Sequence, residues 1–315
     1  MSERVWIVRD GDGATVDAIV ARLGEDARAL DEGRVFVGRK RAARGDAVSA
    51  GDEVRVAARR EVAADVTVLH RGGGLVAVAK PAGIPTIPDE HDAEGSLLVR
   101  TARAIGIPPS TLHATSRLDR GVSGVVVFAE TVAARERLQD ARISGHYFRL
   151  YLAIAARAPS PAEGTWREPI GRARDPKKRM VRGKDATDAE TRYRTVKALA
   201  GSAAGGTAQA PNASGALLAI EPVTGRTHQI RVHASHAGAP LLGDRDYSPA
   251  PALARRGGGP RTLVLASGKV IALDRVALHC AHVRVEGVLD VRAPIPDTLR
   301  GWWRDLGGDD DDWQP

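Results

Sequence analysis

The chain has 315 residues, with 46 lysines and arginines against 39 acidic residues, which leaves a formal net charge of +7. This length can bury a large core and form two domains, and the charge suits a polyanionic partner. A single cysteine, Cys280, excludes an internal disulfide and a cysteine-based metal cluster. No leading apolar segment or apolar run of about 18 residues is present, so we predict a cytoplasmic protein without a membrane span or signal peptide.

The first 60 residues are predicted to form a small unit of their own. Apolar spacing over 16–23 predicts a helix, and the basic segment 33–40 predicts a short strand. The segment 47–56 then predicts a Gly-Asp turn that leads into another strand.

Strand patterns dominate after residue 65. Apolar and alternating runs predict strands at 66–69, 75–79, 125–128, 147–155, 189–196 and 216–220. Helical spacing predicts helices over 132–143 and 227–237. Loose connections are predicted at 201–215, which is rich in Gly, Ala and Ser, and at 255–259. The tail 301–315 carries four consecutive aspartates at 309–312, and this acidic end is predicted to be solvated and disordered.

One carboxylate stands out because arginines surround it. Asp119 lies between Arg117 and Arg120, shortly before the apolar strand 125–129. Nearby positive charge favours the ionised form of a carboxyl group. A charged acid at the mouth of a buried strand is typical of nucleophiles and general bases. The alternative is a solvated surface aspartate paired with an arginine.

The segment 116–124 resembles the signature of the RluA-type pseudouridine synthases, in which H-R-L-D-x-x-T/S-S-G precedes a strand. Other segments resemble that family in the same order, from about residue 65 to 300. They are the strand and K-P-x-G run at 75–85, the R-x-Y-L-A strand at 149–153, G-R-T-H-Q-I-R-V-H at 225–233, P-L-L-G-D-R-D-Y at 240–247, and the closing elements at 278–279 and 293–296.

The resemblance implies an α+β pseudouridine synthase fold over residues 65–300. A mixed, mainly antiparallel central sheet is expected, with flanking helices and loops around an active-site cleft. Residues 1–60 loosely resemble the small S-four-type α/β RNA-binding module, although the acidic opening of their helix departs from it. The alternative for this segment is a β-rich appendage without RNA contacts.

The same resemblance assigns the chemistry to three residues. It also implies a reaction that needs no cofactor. Asp119 is the expected catalytic carboxylate, and the order of the chemical steps stays open. Tyr151 is expected to hold the uracil of a flipped-out nucleotide, with Tyr147 as the nearest competitor. Arg231 is expected to pair with Asp119 and keep it ionised, with Arg226 as the second candidate.

Further residues are expected to contact RNA. Arg117 is expected to share a strand face with Asp119, and the basic loop at 177–184 suits the RNA backbone, although a solvated charged loop is an equal alternative. His228 and His233 lack a third clustered ligand, so no metal site is predicted. The expected RNA-binding residues are Lys80, Arg117, Lys177, Lys178, Arg179, Arg226 and His228.

Two departures from the family signature lie beside Asp119. Ser116 stands where the family has histidine, and Gly121-Val122 stand where it usually has D-T or a similar pair. Because Asp119, Tyr151 and Arg231 are all kept, we predict an active enzyme.

The predicted partner is RNA, and the N-terminal module favours large-subunit rRNA over tRNA. We predict a monomer. Two other functions stay open: a non-catalytic RNA-binding or ribosome-assembly factor, and a hydrolase such as a glycosidase. The latter usually needs two carboxylates.

Overall fold

The chain consists of two compact units, residues 1–64 and residues 65–315. The computed structural model describes residues 4–24, 28–31, 35–38, 40–56, 66–89, 92, 94–199, 215–248, 261–264 and 270–314. The loose connections predicted at 201–215 and 255–259 lie outside these residues, except for Gly215.

The N-terminal unit has one small antiparallel sheet, in the order β1-β4-β2-β3. The single strand predicted over 33–40 is instead two short strands paired with each other. Apolar residues of the first helix are buried in the core of the unit because they recur at helical spacing. The elements are β1 (Arg4–Ile7), α1 (Val16–Arg22), α2 (Arg28–Asp31), β2 (Val35–Val37), β3 (Lys40–Arg41) and β4 (Glu53–Val56).

The acidic residues at the start of the first helix stabilise this unit. Asp12 accepts hydrogen bonds from Trp6 Nε1 and the Arg9 amide, both at 2.8 Å. Asp17 accepts one from the Gly45 amide at 2.7 Å. These carboxylates therefore satisfy donors within the unit.

The larger unit contains fifteen of the described strands and four of the described α-helices. The strands are β5 (Thr67–Gly72), β6 (Leu75–Lys80), β7 (His113–Ala114), β8 (Ser123–Ala129), β9 (Tyr147–Ala155), β10 (Glu163–Trp166), β11 (Ile170–Arg172), β12 (Arg179–Val181), β13 (Lys184–Thr187), β14 (Thr191–Ala198), β15 (Ala216–Pro222), β16 (Arg261–Val264), β17 (Val270–Leu273), β18 (Leu278–Val285) and β19 (Leu289–Arg292). The helices are α3 (Leu97–Ile105), α4 (Val132–Ile143), α5 (Gln229–His236) and α6 (Asp297–Asp305).

A ten-stranded sheet organises this unit, in the order β10-β14-β15-β9-β18-β8-β6-β5, with β19 on β18 and β7 on β8. Its described pairs are antiparallel apart from β8 and β18, which run parallel. At that pair the backbones approach so closely that a Cβ on Gly124, whose φ is +121°, would collide with the Cys280 backbone. The predicted α+β class with a mixed, mainly antiparallel sheet is confirmed.

The central sheet has an apolar core on each face. Along β9, Tyr151 and Ala153 belong to one core, whereas Leu152 and Ile154 belong to the other. This alternation follows from the two-residue period of a strand. By contrast, β8 is buried along its whole length, which explains its unbroken apolar run.

The acidic end of the chain was predicted to be disordered, and this prediction is wrong. Asp310–Trp313 form a 3-10 turn, and the side chain of Asp309 caps it. Trp303 Nε1 donates to Asp312 Oδ2 at 2.9 Å, and Trp313 is buried in the core formed with α6. Buried tryptophan on both sides of the aspartates holds this end in place, because apolar burial offsets the cost of ordering the chain.

Helix bounds agree closely with the apolar spacing. Helix α4 spans the predicted 132–143, and α5 begins two residues later than predicted because His228 adopts a φ of +58°. Within the described part of the chain, the helices are too short or too polar to cross a bilayer.

Candidate active site

Asp119 lies on a loop that enters the central sheet. Residues 115–119 have no regular structure, and β8 begins at Ser123. The prediction that Arg117 and Asp119 share a strand face is therefore wrong, because residues 115–119 lie between β7 and β8 and belong to neither strand. The Asp119 side chain is 27% exposed, and that of Arg117 is exposed. A partly exposed carboxylate on an anchored loop is accessible to a ligand.

Lys80 anchors the backbone of this loop from beneath. Its side chain is buried, and its Nζ lies 2.8–3.2 Å from the carbonyl oxygens of Pro81, Asp119, Arg120 and Val122. Burial and the nearby Arg275 lower its pKa to about 7, although Asp119 acts in the opposite direction. The expected contact between Lys80 and RNA is therefore wrong, because its ammonium group points into the protein.

Two neighbours of Lys80 in sequence hold the same loop. Thr86 Oγ1 donates to the Leu118 carbonyl at 2.8 Å and accepts from the Leu118 amide at 3.0 Å. The Gly83 amide donates to the Arg120 carbonyl at 2.7 Å. The run that begins K-P-x-G thus fixes the backbone on both sides of Asp119.

A buried polar network holds the end of the loop. Arg275 Nη2 donates to Ser123 Oγ at 2.8 Å, and that oxygen lies 2.7 Å from His279 Nδ1. His279 Nε2 lies 3.5 Å from the Ala293 carbonyl, which can only accept, so the neutral ring carries its proton on Nε2 and its Nδ1 accepts from the serine hydroxyl. Burial lowers the pKa of His279 to about 4, so the ring is neutral near pH 7.

Arg231 on α5 is the cation that contacts the Asp119 side chain. Its Nη1 lies 3.0 Å from Asp119 Oδ2. Nε and Nη2 each donate to Asp244 at 2.8 Å, and Nη2 also donates to Asp246 at 2.7 Å. Although burial alone lowers the pKa of Arg231, the bonds and charges of these carboxylates raise it well above its ordinary value. Arg226 instead donates to the Asp188 carbonyl at 2.9 Å.

His228 faces Asp119 from the start of α5. Its Nε2 lies 3.8 Å from Asp119 Oδ2, and its Nδ1 lies 2.7 Å from the Tyr247 hydroxyl. Burial lowers its pKa, outweighing the opposite effect of Asp119. Its side chain makes no capping bond to α5. The expected RNA contact of His228 stays a prediction.

Tyr151 lies on β9, two strands away from β8 in the sheet. Its side chain is buried, and this burial raises its pKa well above the ordinary value. The hydroxyl therefore stays protonated near pH 7. Holding a base on this ring stays a prediction, as does the competing role of Tyr147.

Of the basic residues 177–179, Lys177 and Lys178 lie in the turn between β11 and β12, and Arg179 is the first residue of β12. Lys177 is exposed, and Lys178 Nζ lies 3.9 Å from Asp246 Oδ1, so the turn reaches the carboxylates around Arg231. Arg179 Nη1 donates to the Pro176 carbonyl at 3.0 Å. Contacts between this turn and RNA stay predictions.

The acidic and histidine side chains around the site are engaged with protein groups. Asp244 is buried against Arg231, and His233 is held by Thr191 Oγ1 and the Glu168 carbonyl, both at 2.9 Å. Among the described residues, no group of three or more His, Cys, Asp or Glu side chains is arranged to hold a metal ion.

The structure adds three residues to which the sequence assigned no role. They are Asp244, Asp246 and Tyr247, which lie together in the run 240–247 that was noted for its resemblance. The sequence signal that could have pointed to these three residues was the position of the run shortly after the motif that contains Arg231. Only the fold shows that two of its acids share the Arg231 guanidinium with Asp119.

Comparisons with known proteins find synthases that act on RNA. The profile of the family described as RNA pseudouridylate synthase matches residues 74–236. Ribosomal large subunit pseudouridine synthase D of Xanthomonas campestris is 32% identical over 242 residues, which cover 75% of this chain and 67% of that protein. The protein of the same name from Yersinia pestis is 29% identical over 245 residues, 74% of this chain and 68% of that protein.

Solved structures show the same fold. Human RNA Pseudouridylate Synthase Domain Containing 4 matches with a TM-score of 0.56 at 24% identity, over 76% of this chain and 92% of that one. Human RNA Pseudouridylate Synthase Domain Containing 1 matches with a TM-score of 0.55 at 19% identity, over 76% of this chain and 88% of that one.

Proposed function

Because the chain belongs to the RluA-type family of RNA pseudouridine synthases, which are isomerases, we propose that it converts specific uridines of large-subunit rRNA with Asp119 as the catalytic carboxylate. The observation that carries the role of Asp119 is its 3.0 Å contact with Arg231 at a partly exposed position. The Arg231 guanidinium provides the counter-ion of the Asp119 carboxylate, and a carboxylate can attack or accept a proton.

The reaction requires one carboxylate and no redox change. The bond between ribose and the uracil nitrogen breaks, the base turns, and ribose is rejoined to a ring carbon, which loses its proton while the freed nitrogen gains one. Asp119 attacks the sugar or the base, or removes a proton and stabilises positive character at the sugar carbon. Each route needs a charged oxygen beside the ribose or the base, and each is compatible with the loop that Lys80 and Thr86 hold.

The nucleotide is proposed to be flipped out of its stack, since a uridine within a helix cannot present its sugar carbon to a side chain. Tyr151 is the proposed partner of the extruded base. Arg117, Lys177 and Lys178 carry exposed or half-exposed charge and are proposed to bind phosphates. Arg226 contacts a backbone carbonyl at the surface, which leaves its remaining donors for RNA.

Large-subunit rRNA is favoured over tRNA as the substrate on two grounds. The relatives from Xanthomonas and Yersinia are named as synthases of the large ribosomal subunit. A separate N-terminal unit also provides a second surface for a large structured RNA. We propose that this surface binds RNA.

The test is pseudouridine mapping in RNA from a strain that lacks the protein, followed by reconstitution with purified enzyme. Loss of pseudouridine at specific large-subunit positions, restored by the wild-type chain and not by Asp119→Asn, is the expected result. Asp140→Asn on the exposed face of α4 is the matched control and should restore modification. Pseudouridine formed by Asp119→Asn, or losses confined to tRNA, would overturn the respective part of the proposal.

A further inference from the structure

We infer that Tyr247 and His228 are positioning residues for Asp119, and that they leave its Oδ1 atom as the oxygen that meets the substrate. The inference rests on the proposed function, in which Asp119 is the reacting carboxylate. It assigns roles to two side chains that the ion pair with Arg231 does not explain.

The hydrogen bonds of Tyr247 determine which nitrogen of His228 carries the proton. The Arg179 amide donates to the Tyr247 hydroxyl oxygen at 2.9 Å, and an amide can only donate. The other polar contact of this hydroxyl among the described residues is His228 Nδ1 at 2.7 Å, and this nitrogen is the acceptor that the phenol proton can reach. Nδ1 is then the acceptor, so the neutral imidazole carries its proton on Nε2.

That proton lies on the nitrogen facing Asp119. His228 Nε2 is 3.8 Å from Asp119 Oδ2, the same oxygen that Arg231 Nη1 contacts at 3.0 Å. A donor at 3.8 Å is too far for a hydrogen bond, but contacts of this kind commonly shorten when a substrate binds. Both donors approach Oδ2, and Oδ1 accepts no hydrogen bond from the described residues.

A neutral donor suits this position better than a second full cation. Arg231 already shares its charge among Asp119, Asp244 and Asp246. Another positive charge against Oδ2 would stabilise the carboxylate further and make it a weaker nucleophile and base. The N–H of neutral His228 orients the carboxylate without that loss.

The backbone of His228 gives separate support. Its φ of +58° lies in the left-handed region, which residues with a side chain adopt at a cost. The His228 side chain makes no capping hydrogen bond to the helix in return. It places the ring between the Tyr247 hydroxyl and Asp119, as a positioning role requires.

The kinetic test is a double-mutant cycle on single-turnover pseudouridine formation. Tyr247→Phe keeps the ring that lies 4.9 Å from the Arg231 guanidinium and removes only the hydroxyl. We expect Tyr247→Phe and His228→Ala each to slow the chemical step about 10- to 100-fold, with the Kd for RNA unchanged. The double variant should be no slower than His228→Ala, because Tyr247 acts through His228. His228→Gln, which retains an N–H donor, should recover part of the rate.

Two substitutions serve as matched controls away from Asp119. Tyr193→Phe removes a hydroxyl that donates to the Pro161 carbonyl at 3.2 Å, and His146→Gln alters an exposed histidine. Both should leave the rate unchanged. Multiplying effects of Tyr247→Phe and His228→Ala, or a loss confined to RNA affinity, would show independent structural or RNA-binding roles and overturn the inference.

A spectroscopic test does not depend on activity. Imidazole ¹⁵N shifts of the full chain at pH 7.5 should show neutral His228 with its proton on Nε2, and Tyr247→Phe should mix the two tautomers. A charged ring or an Nδ1-protonated ring in the wild type overturns the inference.

The pH dependence adds a third readout. The groups facing His228 are Asp119, Arg231, Asp244, Asp246 and Tyr247. Because the Tyr247 proton stabilises the neutral ring, Tyr247→Phe should move the acidic limb of the rate profile to higher pH, and an unmoved limb counts against the inference. Failure of the wild type to modify any RNA would refute the proposed function instead, while the ¹⁵N result would still decide the tautomer.

Discussion

Two buried cations contact Asp119 from different parts of the fold, and they contact different parts of the residue. Arg231 on α5 binds the side chain and shares its charge with Asp244 and Asp246. Lys80 at the end of β6 binds only carbonyl oxygens, including that of Asp119. The α5 region therefore provides the counter-ion of the carboxylate, whereas the β6 region sets the position of its backbone.

The largest expected effect comes from Arg231. Arg231→Met should abolish pseudouridine formation, because Asp119 loses its counter-ion. It should also reduce the free energy of unfolding by about 3–5 kcal/mol, because Asp244 is 1% exposed and would lose the guanidinium from which it accepts two hydrogen bonds. Activity on the mapped RNA and denaturant unfolding measure the two effects.

The matched control for that change is Arg226→Met, which removes a surface contact with the Asp188 carbonyl. It should keep most of the turnover rate. Adding Asp244→Asn to Arg231→Met should recover stability without activity. A larger loss of activity in Arg226→Met than in Arg231→Met would reverse the assigned roles.

Changing Lys80 should affect turnover and leave RNA affinity intact. Lys80→Met leaves carbonyls of the Asp119 loop without their donor, which should reduce the free energy of unfolding by about 1–3 kcal/mol and slow the reaction. Lys178→Met, at the half-exposed turn, should instead weaken RNA binding and reduce its salt dependence. Equal losses of RNA affinity in both variants would contradict the buried role of Lys80.

The polar network of Arg275, Ser123 and His279 predicts a pH range in which acid lowers the stability of the fold. His279 has a folded-state pKa of about 4 against an ordinary value of 6.5. Between these pH values the unfolded chain binds a proton at His279 that the folded chain excludes. The free energy of unfolding is therefore highest above pH 6.5 with respect to this group, and it falls as the pH drops toward 4. The shift corresponds to about 3 kcal/mol.

Denaturant unfolding of the wild type and His279→Gln across pH 4–7 measures this effect. The variant should show a shallower slope, which does not reach zero because burial also lowers the pKa of His228 and His233. His146→Gln, an exposed histidine, is the control. Identical slopes for the wild type and His279→Gln would rule out the buried neutral ring.

The smallest effect on chemistry is expected from removing residues 1–64. A chain that begins at Asp65 should still isomerise uridine in a short stem-loop, because the described site belongs to the larger unit. Binding to long structured RNA should weaken, and its salt slope should become shallower as the exposed Lys40 and Arg41 are lost. Unchanged affinity and slope would make this unit a structural appendage.

The local sequence pattern was sufficient to predict strands and helices wherever burial imposes a period on the apolar residues. The apolar runs of β6 and β8 and the spacing in α4 predicted those elements, because side-chain direction repeats every two residues in a strand and every 3.6 in a helix. The prediction for the acidic end was wrong because the order of this segment does not follow from a local pattern. Its four aspartates look solvated, and only the packing of Trp303 and Trp313 orders them.

The sequence by itself identified Asp119 and Arg231 as candidates, because each lies in a run of residues whose resemblance to the RluA-type family is specific. Their 3.0 Å contact joins residues 112 positions apart, and only the tertiary structure places them together. Only the tertiary structure places Lys80 as well, because a lysine in the sequence does not show whether its side chain lies in solvent or in the core. Its direction is decided by carbonyl oxygens about 40 residues away, which need a donor once the fold has removed them from water.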